Sequence, residues 1–481
     1  MTVTELTRLL HESFAYTPTS GQSEFLKLAA EFLLDREEGN ILVMKGYAGT
    51  GKTSIVRSIV NVLEKHEHGY VLLAPTGRSA KVLSRYSSRA AFTIHKKIYK
   101  LRTGADGLMH MLLMPNYHKN TLFIVDEASM IQNNSVESSG FFSGRSLLDD
   151  LMEYVFTGSN CRLILIGDTA QLPPVGMNIS PALDLKYLKT TFGIHIRSYE
   201  LTEVVRQESD SGILENATII RKLLNSSSLK KNIAGLKIKK FPDVNFIDGA
   251  ELEDAIQQAY TQYGGEETII ICRSNKRANI FNEQIRVRIL GRDAELTGGD
   301  LMMVVKNNYF WLPETSAATF IANGEMLEIQ RVKSNMELYG FRFAEARMKL
   351  TDYPDEHSMD VILLLDTIHS EQPALNYSES KKLYESILED YQEIPEKRKR
   401  MMKVRENKYF NALQVKFAYA VTCHKAQGGQ WKAVFVDFGY VTDKNFDTEF
   451  VRWLYTAVTR ATEKLYLVNV PSELIKQKYF S

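Results

Sequence analysis

The sequence predicts an α/β chain with two cores built on parallel sheets, and three observations predict it. Short buried runs of branched residues recur at strand length, amphipathic stretches separate them, and a complete phosphate-binding loop stands between one run and the helix after it. The first core takes in the runs 41–44, 71–74, 122–125 and 163–166. The second takes in 268–272, 434–437 and 465–470, and has no phosphate loop of its own.

The loop is Gly46-Tyr47-Ala48-Gly49-Thr50-Gly51-Lys52-Thr53. Its glycines let backbone amides turn inward on phosphates, Lys52 reaches the outer phosphates, and the Thr53 hydroxyl can ligate magnesium. The chain is therefore expected to bind a nucleoside triphosphate through Gly46, Ala48, Gly49, Thr50, Gly51, Lys52 and Thr53. A second buried run ends in Asp126-Glu127, with Asp126 to hold the metal and Glu127 to orient and deprotonate the attacking water. The third run enters Gly167-Asp168-Thr169-Ala170-Gln171-Leu172-Pro173-Pro174-Val175. A glutamine at a strand end can bond both a terminal phosphate and a neighbouring loop, and the two prolines stiffen the segment that carries the report onward.

With these motifs the sequence resembles a superfamily 1 helicase, and the later motifs follow in that family's order. The stretch 201–207 resembles motif IV, and the resemblance implies that Arg206 reaches the terminal phosphate from the second motor half. The stretch 421–430 resembles motif V, with Gly428 and Gln430 near the nucleotide sugar; relatives often have a carboxylate where Gln430 stands. The stretch 455–461 resembles motif VI, with Arg460 as a second phosphate-contacting arginine. An arginine brought across a cleft is worth roughly a thousandfold or more in phosphoryl transfer. Upstream, Gln22 matches the adenine-reading glutamine and 74–78 matches motif Ia. His424-Lys425-Ala426-Gln427-Gly428, Thr93-Ile94-His95 and the Gln-Leu-Pro-Pro string are most similar to the RecD and Dda group, whose members move 5′ to 3′ on single-stranded DNA. UvrD-type enzymes run the other way and carry large insertions in both halves, against only a short stretch between Ile98 and Asn120 here.

The family's architecture implies two RecA-like P-loop motor domains, a small β-hairpin insertion in the first, and an SH3-like barrel plus helical insertion in the second. The expected boundaries are 1–97 with 120–205 for the first motor, 98–119 for the hairpin, 206–299 with 410–481 for the second motor, and 300–409 for the barrel and helical tower. The hairpin reading rests on an Asp-Gly step among small residues, with Leu108 and Met109 as a wedge for splitting duplex; no aromatic sits at its tip. Short β-rich runs from 300 to about 365, with Asn323-Gly324 as a turn, give the barrel. The Glu-, Lys- and Arg-rich stretch 378–409, broken at Pro395, gives the helices, and its cluster Lys397-Arg398-Lys399-Arg400 reads first as a solvated face. The stretch 133–144 reads as a loop without chemistry. Thr76, Arg78 and His95 on the first half, with Thr422 and His424 on the second, are the expected DNA contacts: hydroxyls and basic groups for phosphates, rings for bases.

At 481 residues there is room for both cores and their insertions, and the formal charge of +1 means that any nucleic-acid field must be concentrated in a groove. The three cysteines show no metal-ligand spacing and read as reduced core residues. No run is long enough to span a bilayer and the N-terminus lacks a signal pattern, so a cytoplasmic protein is expected. The sequence reading is an ATP- and Mg2+-dependent helicase acting as a monomer on single-stranded DNA and duplex junctions, with replication or recombination proteins as partners. Two other readings stay open: a nucleotide-driven clamp or switch that does not unwind, and an RNA helicase of the same superfamily.

Overall fold

In the computed structural model, which describes residues 1–35, 39–103, 109–133, 146–205, 211–224, 241–312, 316, 320–353, 357–440, 447–471 and 474, each predicted core run falls on a strand. Along the first half these are β1 (Asn40–Gly46), β2 (Gly69–Ala74), β3 (Ala91–Thr93), a hairpin of β4 (Tyr99–Thr103) and β5 (Met109–Leu113), then β6 (Thr121–Val125), β7 (Arg162–Gly167) and β8 (His195–Leu201). Apart from the hairpin they form one parallel sheet in the order β3-β2-β6-β7-β1-β8. Its central strands are apolar on both faces because both are covered. Leu42, Met44, Ile124 and Ile164 face the helices Ser20–Leu34 and Lys52–Lys65. Ile41, Val43, Val125 and Leu165 face the helix Leu147–Thr157. The register pairs Val125 with Leu165 and Val43 with Leu165, so the turns after β1, β6 and β7 leave the same edge of the sheet.

The second half holds β9 (Val244–Ile247), β10 (Thr268–Cys272), a closed barrel of β11 (Leu301–Val304), β12 (Met326–Leu338), β13 (Phe341–Leu350), β14 (Met359–Leu364) and β15 (Leu413–Phe417), and then β16 (Ala420–Thr422), β17 (Trp431–Asp437) and β18 (Ala461–Val468). The second sheet runs β16-β10-β17-β18-β9, all parallel. The barrel extends past the expected boundary at 409. Its closing strand β15 pairs antiparallel with β11 and parallel with β14, and comes only after the helical insertion. The helices Tyr377–Glu389 and Lys397–Glu406 are seated on the barrel, with Leu383, Ile387 and Val404 against Phe341, Phe343, Ile362 and Leu364. Lys399 pairs with Glu396 and Lys403 with Glu406 at the exposed surface. Residue Leu108 of the expected wedge and residues 134–145 of the expected loop lie outside the described residues. Among the described residues no helix is long and apolar enough to cross a membrane.

The barrel also rests on the first half. Lys81 Nζ donates to Thr351 O at 2.9 Å and lies 3.4 Å from Asp352. Glu325 is buried beside Gly77, accepting from the Ala322 amide and the Tyr353 hydroxyl. Burial pushes the Glu325 carboxyl up to about 8, and those two bonds oppose the shift only in part. A folded-state value above the unfolded one means that the folded chain holds the extra proton. Its contribution to stability is complete below the unfolded value of 4.5 and is lost as pH rises through about 8. Thermal melts of wild type between about pH 5 and 9 should fall across that window, and Glu325→Gln should flatten the fall. An equal slope in the variant would remove Glu325 from the account.

Candidate nucleotide site and nucleic-acid grips

The turn after β1 closes on itself before it meets anything else. Lys52 Nζ donates to Gly46 O and Tyr47 O, both at 2.8 Å, and Thr50 Oγ1 donates to Tyr47 O at 2.8 Å. Gly51 has φ +79°, which favours glycine, and an added Cβ would lie 2.3 Å from Gln22 Nε2 and displace that amide. Gln22 is buried: its Oε1 accepts from the Thr19 amide and its Nε2 donates to Thr50 O at 3.0 Å, which places it against the back of the loop. Thr53 follows in the first turn of the helix Lys52–Lys65.

Asp126 and Glu127 leave β6 beside this loop. Burial, and then the charge of Glu127, raise the Asp126 carboxyl to about 6, against the opposing pull of the Glu127 amide and Lys52. Glu127 has φ 52°, a conformation that costs a non-glycine residue about 1–3 kcal/mol. The Glu127 amide donates to Asp126 Oδ1 at 2.8 Å and helps to hold it there. After β7, Asp168 is buried and its carboxyl is raised by that burial. Gln171 is buried as well, and its Oε1 has no hydrogen-bond partner among the described residues.

The second half reaches into this site directly. Tyr455 donates its hydroxyl to Asp168 Oδ2 at 2.6 Å and accepts from the Ala48 amide at 2.9 Å. Thr456 Oγ1 accepts from the Leu172 amide at 2.8 Å, while Gln427 Nε2 donates to Leu172 O at 2.7 Å. Val205 N donates to Gly49 O at 3.0 Å, so the chain crosses from the first half beside the loop; Arg206 itself lies outside the described residues. Arg221 stacks 3.9 Å over the Tyr47 ring, and Tyr47 donates to Glu200 at 2.6 Å. Arg460 is buried, with its donors on Thr456 O, Gly429 O and Thr459 Oγ1 of its own half. Tyr455, Thr456, Gln427, Asp168 and Arg221 were given no role from sequence. The signal was present only in part: Thr456, in the last turn of the helix Thr448–Val458, and Arg460, just beyond its end, stand four residues apart.

Gln430 and Gly428, the expected sugar contacts, both meet the first half. Gln430 O accepts from Arg78 at 3.2 Å and its Oε1 accepts from the Tyr86 hydroxyl at 2.8 Å. Gly428, with φ +73°, packs over Ser79 and Met130, where a Cβ would come within 3.0 Å of Ser79 Cβ. The structure thus seats this loop on the helix Gly77–Ser87, as a joint between the halves.

Among the expected nucleic-acid contacts, Thr76 caps that helix, accepting from the Ser79 amide at 3.2 Å. Arg78 stacks 4.0 Å from the Trp431 ring centroid, and Trp431 is itself buried. His95 lies between the rings of Tyr99 and Phe320, and burial lowers it to about 4, so it is neutral at ordinary pH and carries no charge for a phosphate. Thr422 begins the turn Cys423–Ala426 without spending its hydroxyl on the cap, and burial lowers the His424 imidazole. Stacking needs a planar guanidinium, whereas a phosphate accepts either cation. Arg78→Lys should therefore impair communication between the halves as much as Arg78→Ala. The readout is stimulation of turnover by single-stranded DNA; full rescue by lysine would return Arg78 to a phosphate-gripping role.

Comparison with known proteins follows the same division. A family model described as "AAA domain" matches residues 26–231, and one described as "UvrD-like helicase C-terminal domain" matches residues 417–468. The ATP-dependent RecD2 DNA helicase of Deinococcus radiodurans is 32% identical over 186 residues, covering 38% of this chain and 22% of that protein. The ATP-dependent DNA helicase dda of Enterobacteria phage T4 is 26% identical over 298 residues, 60% of each chain. The chain thus spans less than two thirds of the length of these two relatives. A crystal structure of Pif1 helicase from Bacteroides in complex with ADP-AlF3 and ssDNA is similar with a TM-score of 0.45 and 15% identity, covering 96% of this chain and 95% of that one.

Proposed function

We propose that the chain is a superfamily 1 helicase of the RecD and Dda type, to which its matched stretches are similar, and that it is an ATP-dependent DNA helicase that moves 5′ to 3′ along single-stranded DNA and opens duplex ahead of it. The observation that carries the reading is the direct bond from Tyr455 of the second half to Ala48 in the phosphate loop of the first. A nucleotide held by that loop acts on the contact between the halves, as a motor requires.

In this reading Lys52 and the loop amides hold the phosphates, and Glu127 takes the proton of the attacking water. Gln171 senses the terminal phosphate, and Arg206 and Arg460 supply positive charge from the second half. The oxygen donors Thr53 and Asp126 fit Mg2+, a hard cation that binds through few protein ligands and keeps several waters. When bound, the metal neutralises phosphate charge. Asp126 must be ionised to hold it, so the metal would compete with the proton that burial favours on this carboxyl. Thr76 and Thr422 offer hydroxyls to the sugar-phosphate backbone, one from each half, so that closure and opening of the cleft move two grips past each other. The proposed setting is soluble and cytoplasmic, with replication or recombination proteins as partners.

The test is strand separation on two tailed duplexes, one with a 5′ and one with a 3′ single-stranded tail, with ATP and magnesium. The 5′-tailed duplex alone should open. Opening from the 3′ tail overturns the polarity. Hydrolysis stimulated by DNA with neither duplex opened favours a clamp, and stronger stimulation by matched RNA favours an RNA motor.

A further inference from the structure

The hairpin β4–β5 springs from two roots, the short helix Ile94–Ile98 before it and the segment 114–118 after it. An open pocket of about 490 Å³ lies between these roots and buried Tyr154 of the helix Leu147–Thr157. The roots are fixed to each other and to the core. The Met114 amide donates to Ile98 O at 2.8 Å, and buried Asn116 donates through Nδ2 to Tyr154 O at 2.9 Å and to Val155 O at 3.2 Å. The His118 amide donates back to Asn116 Oδ1 at 3.0 Å, and the His118 ring packs edge-on at 5.4 Å from Phe123. Between these two anchored residues Tyr117 is 84% exposed at the pocket, so its ring is held out in water by its neighbours. A lone exposed ring is ordinary, and what surrounds this one is not.

From 91 to 120 the chain carries Lys96, Lys97, Lys100, Arg102 and Lys119 against Asp106 alone, in a protein whose formal charge is only +1. Lys96 and Lys97 both line the pocket and no carboxylate does. Lys96 Nζ stands 5.4 Å from the centre of the Phe92 ring, which is also at the pocket. Burial lowers the Lys97 ammonium with no carboxylate to oppose it, and burial, then the charge of Lys97, lower the His118 imidazole. Positive charge is thus gathered beside an exposed ring and left uncompensated. Single-stranded nucleic acid answers both features, with phosphates for the ammonium groups and an unpaired base for the ring. Duplex offers the phosphates but keeps its base faces stacked, and an acidic peptide would serve the lysines and leave the ring idle.

We propose that this pocket is a second single-strand site, which holds the strand that the motor does not grip, with a base stacked on Tyr117 and its phosphate on Lys96 and Lys97. The inference rests on the helicase reading above. Opening a duplex yields two single strands, and the cleft with its grips at Thr76 and Thr422 takes one of them. None of Thr76, Arg78, His95, Thr422 and His424 lines the pocket, and all of its lining residues belong to the first half. Both strands can therefore be held at once, and a strand held at the hairpin roots is kept from pairing again.

Binding by the full chain without ATP tests it, on a fork carrying both tails and on a duplex carrying the 5′ tail alone. Wild type should bind the fork about tenfold more tightly, the scale of one stacked base. Tyr117→Ala and Lys97→Met should each erase most of that advantage while leaving affinity for the 5′-tailed duplex and turnover stimulated by single-stranded DNA unchanged. Lys97→Met should also reduce the salt slope of fork binding by roughly 0.7, the share of one single-strand phosphate. An iodouracil base in the 3′ tail beside the junction should photocrosslink to Tyr117. Crosslinking of Tyr117 to the 5′ tail instead overturns the assignment to the second strand. Equal affinity of wild type for the two substrates, or an advantage that both variants keep, overturns the site itself. None of these binding measurements needs hydrolysis, so a fork preference in a chain that opens no duplex with ATP refutes the helicase reading and not the site, whereas opening without fork preference refutes the site alone.

Discussion

Glu127→Gln should lower DNA-stimulated ATP turnover by about 10²–10⁴-fold, the range for losing a positioned general base, while nucleotide binding survives. The substitution keeps the size of the side chain and the bond from the 127 amide to Asp126, so the left-handed turn after β6 is preserved. In the proposed site the phosphates are held by the loop around Lys52 and not by residue 127. The measurement pairs steady-state turnover with titration of a fluorescent ATP analogue. Turnover within a few fold of wild type would require another base, and lost nucleotide binding would make Glu127 a structural residue.

The largest stability loss is expected at the joint between the second core and the barrel. Asp300 is fully buried and accepts five bonds: from Arg286 through Nε and a terminal nitrogen, from Arg292, from the Tyr419 hydroxyl and from the Thr297 amide. Arg286 is nearly as buried, and its guanidinium also lies 4.2 Å over the Phe417 ring. Asp300→Ala removes the only carboxylate paired with Arg286 among the described ion pairs and leaves a shielded charge behind, which typically costs about 3–5 kcal/mol. Urea unfolding followed by tyrosine and tryptophan fluorescence should show the loss. The double change Arg286→Met with Asp300→Leu should recover part of it, because the stranded charge is then gone. A double variant as unstable as the single one would show that the five bonds, and not the charge, set the stability.

What could be read from the chain alone divides along a physical line. The phosphate loop, Asp126, Glu127 and Gln171 each lie within a few residues of a buried strand, and short-range pattern identifies such strands well. The runs behind them, β1, β6 and β7, are all strands of the first sheet. The bond between Tyr455 and Ala48 joins residues 407 apart, and the stack of Arg78 on Trp431 exists only because two separately folded halves meet. No periodicity reports such a meeting. The same reason hid β15: a strand separated from the rest of its barrel by two helices looks like the start of the next core. The short edge strands β9 and β16, four and three residues long, offer too few positions for a pattern. Gln430 adds a contact of the same long-range kind: its side chain is engaged by Tyr86 of the first half, which no local pattern announces.

One consequence concerns how this protein tolerates change. The link between the halves at residue 172 is made by main-chain atoms, the Leu172 amide to Thr456 and the Leu172 carbonyl to Gln427. A leucine, methionine or isoleucine presents the same amide and carbonyl, so natural variation at 172 can drift without touching the transmission it carries. Thr456 and Gln427 contribute through their side chains and have no such freedom. A saturation scan of the three positions would then be lopsided, permissive on one side of the joint and strict on the other, and a survey that equates tolerance with unimportance would overlook the residue through which both bonds pass.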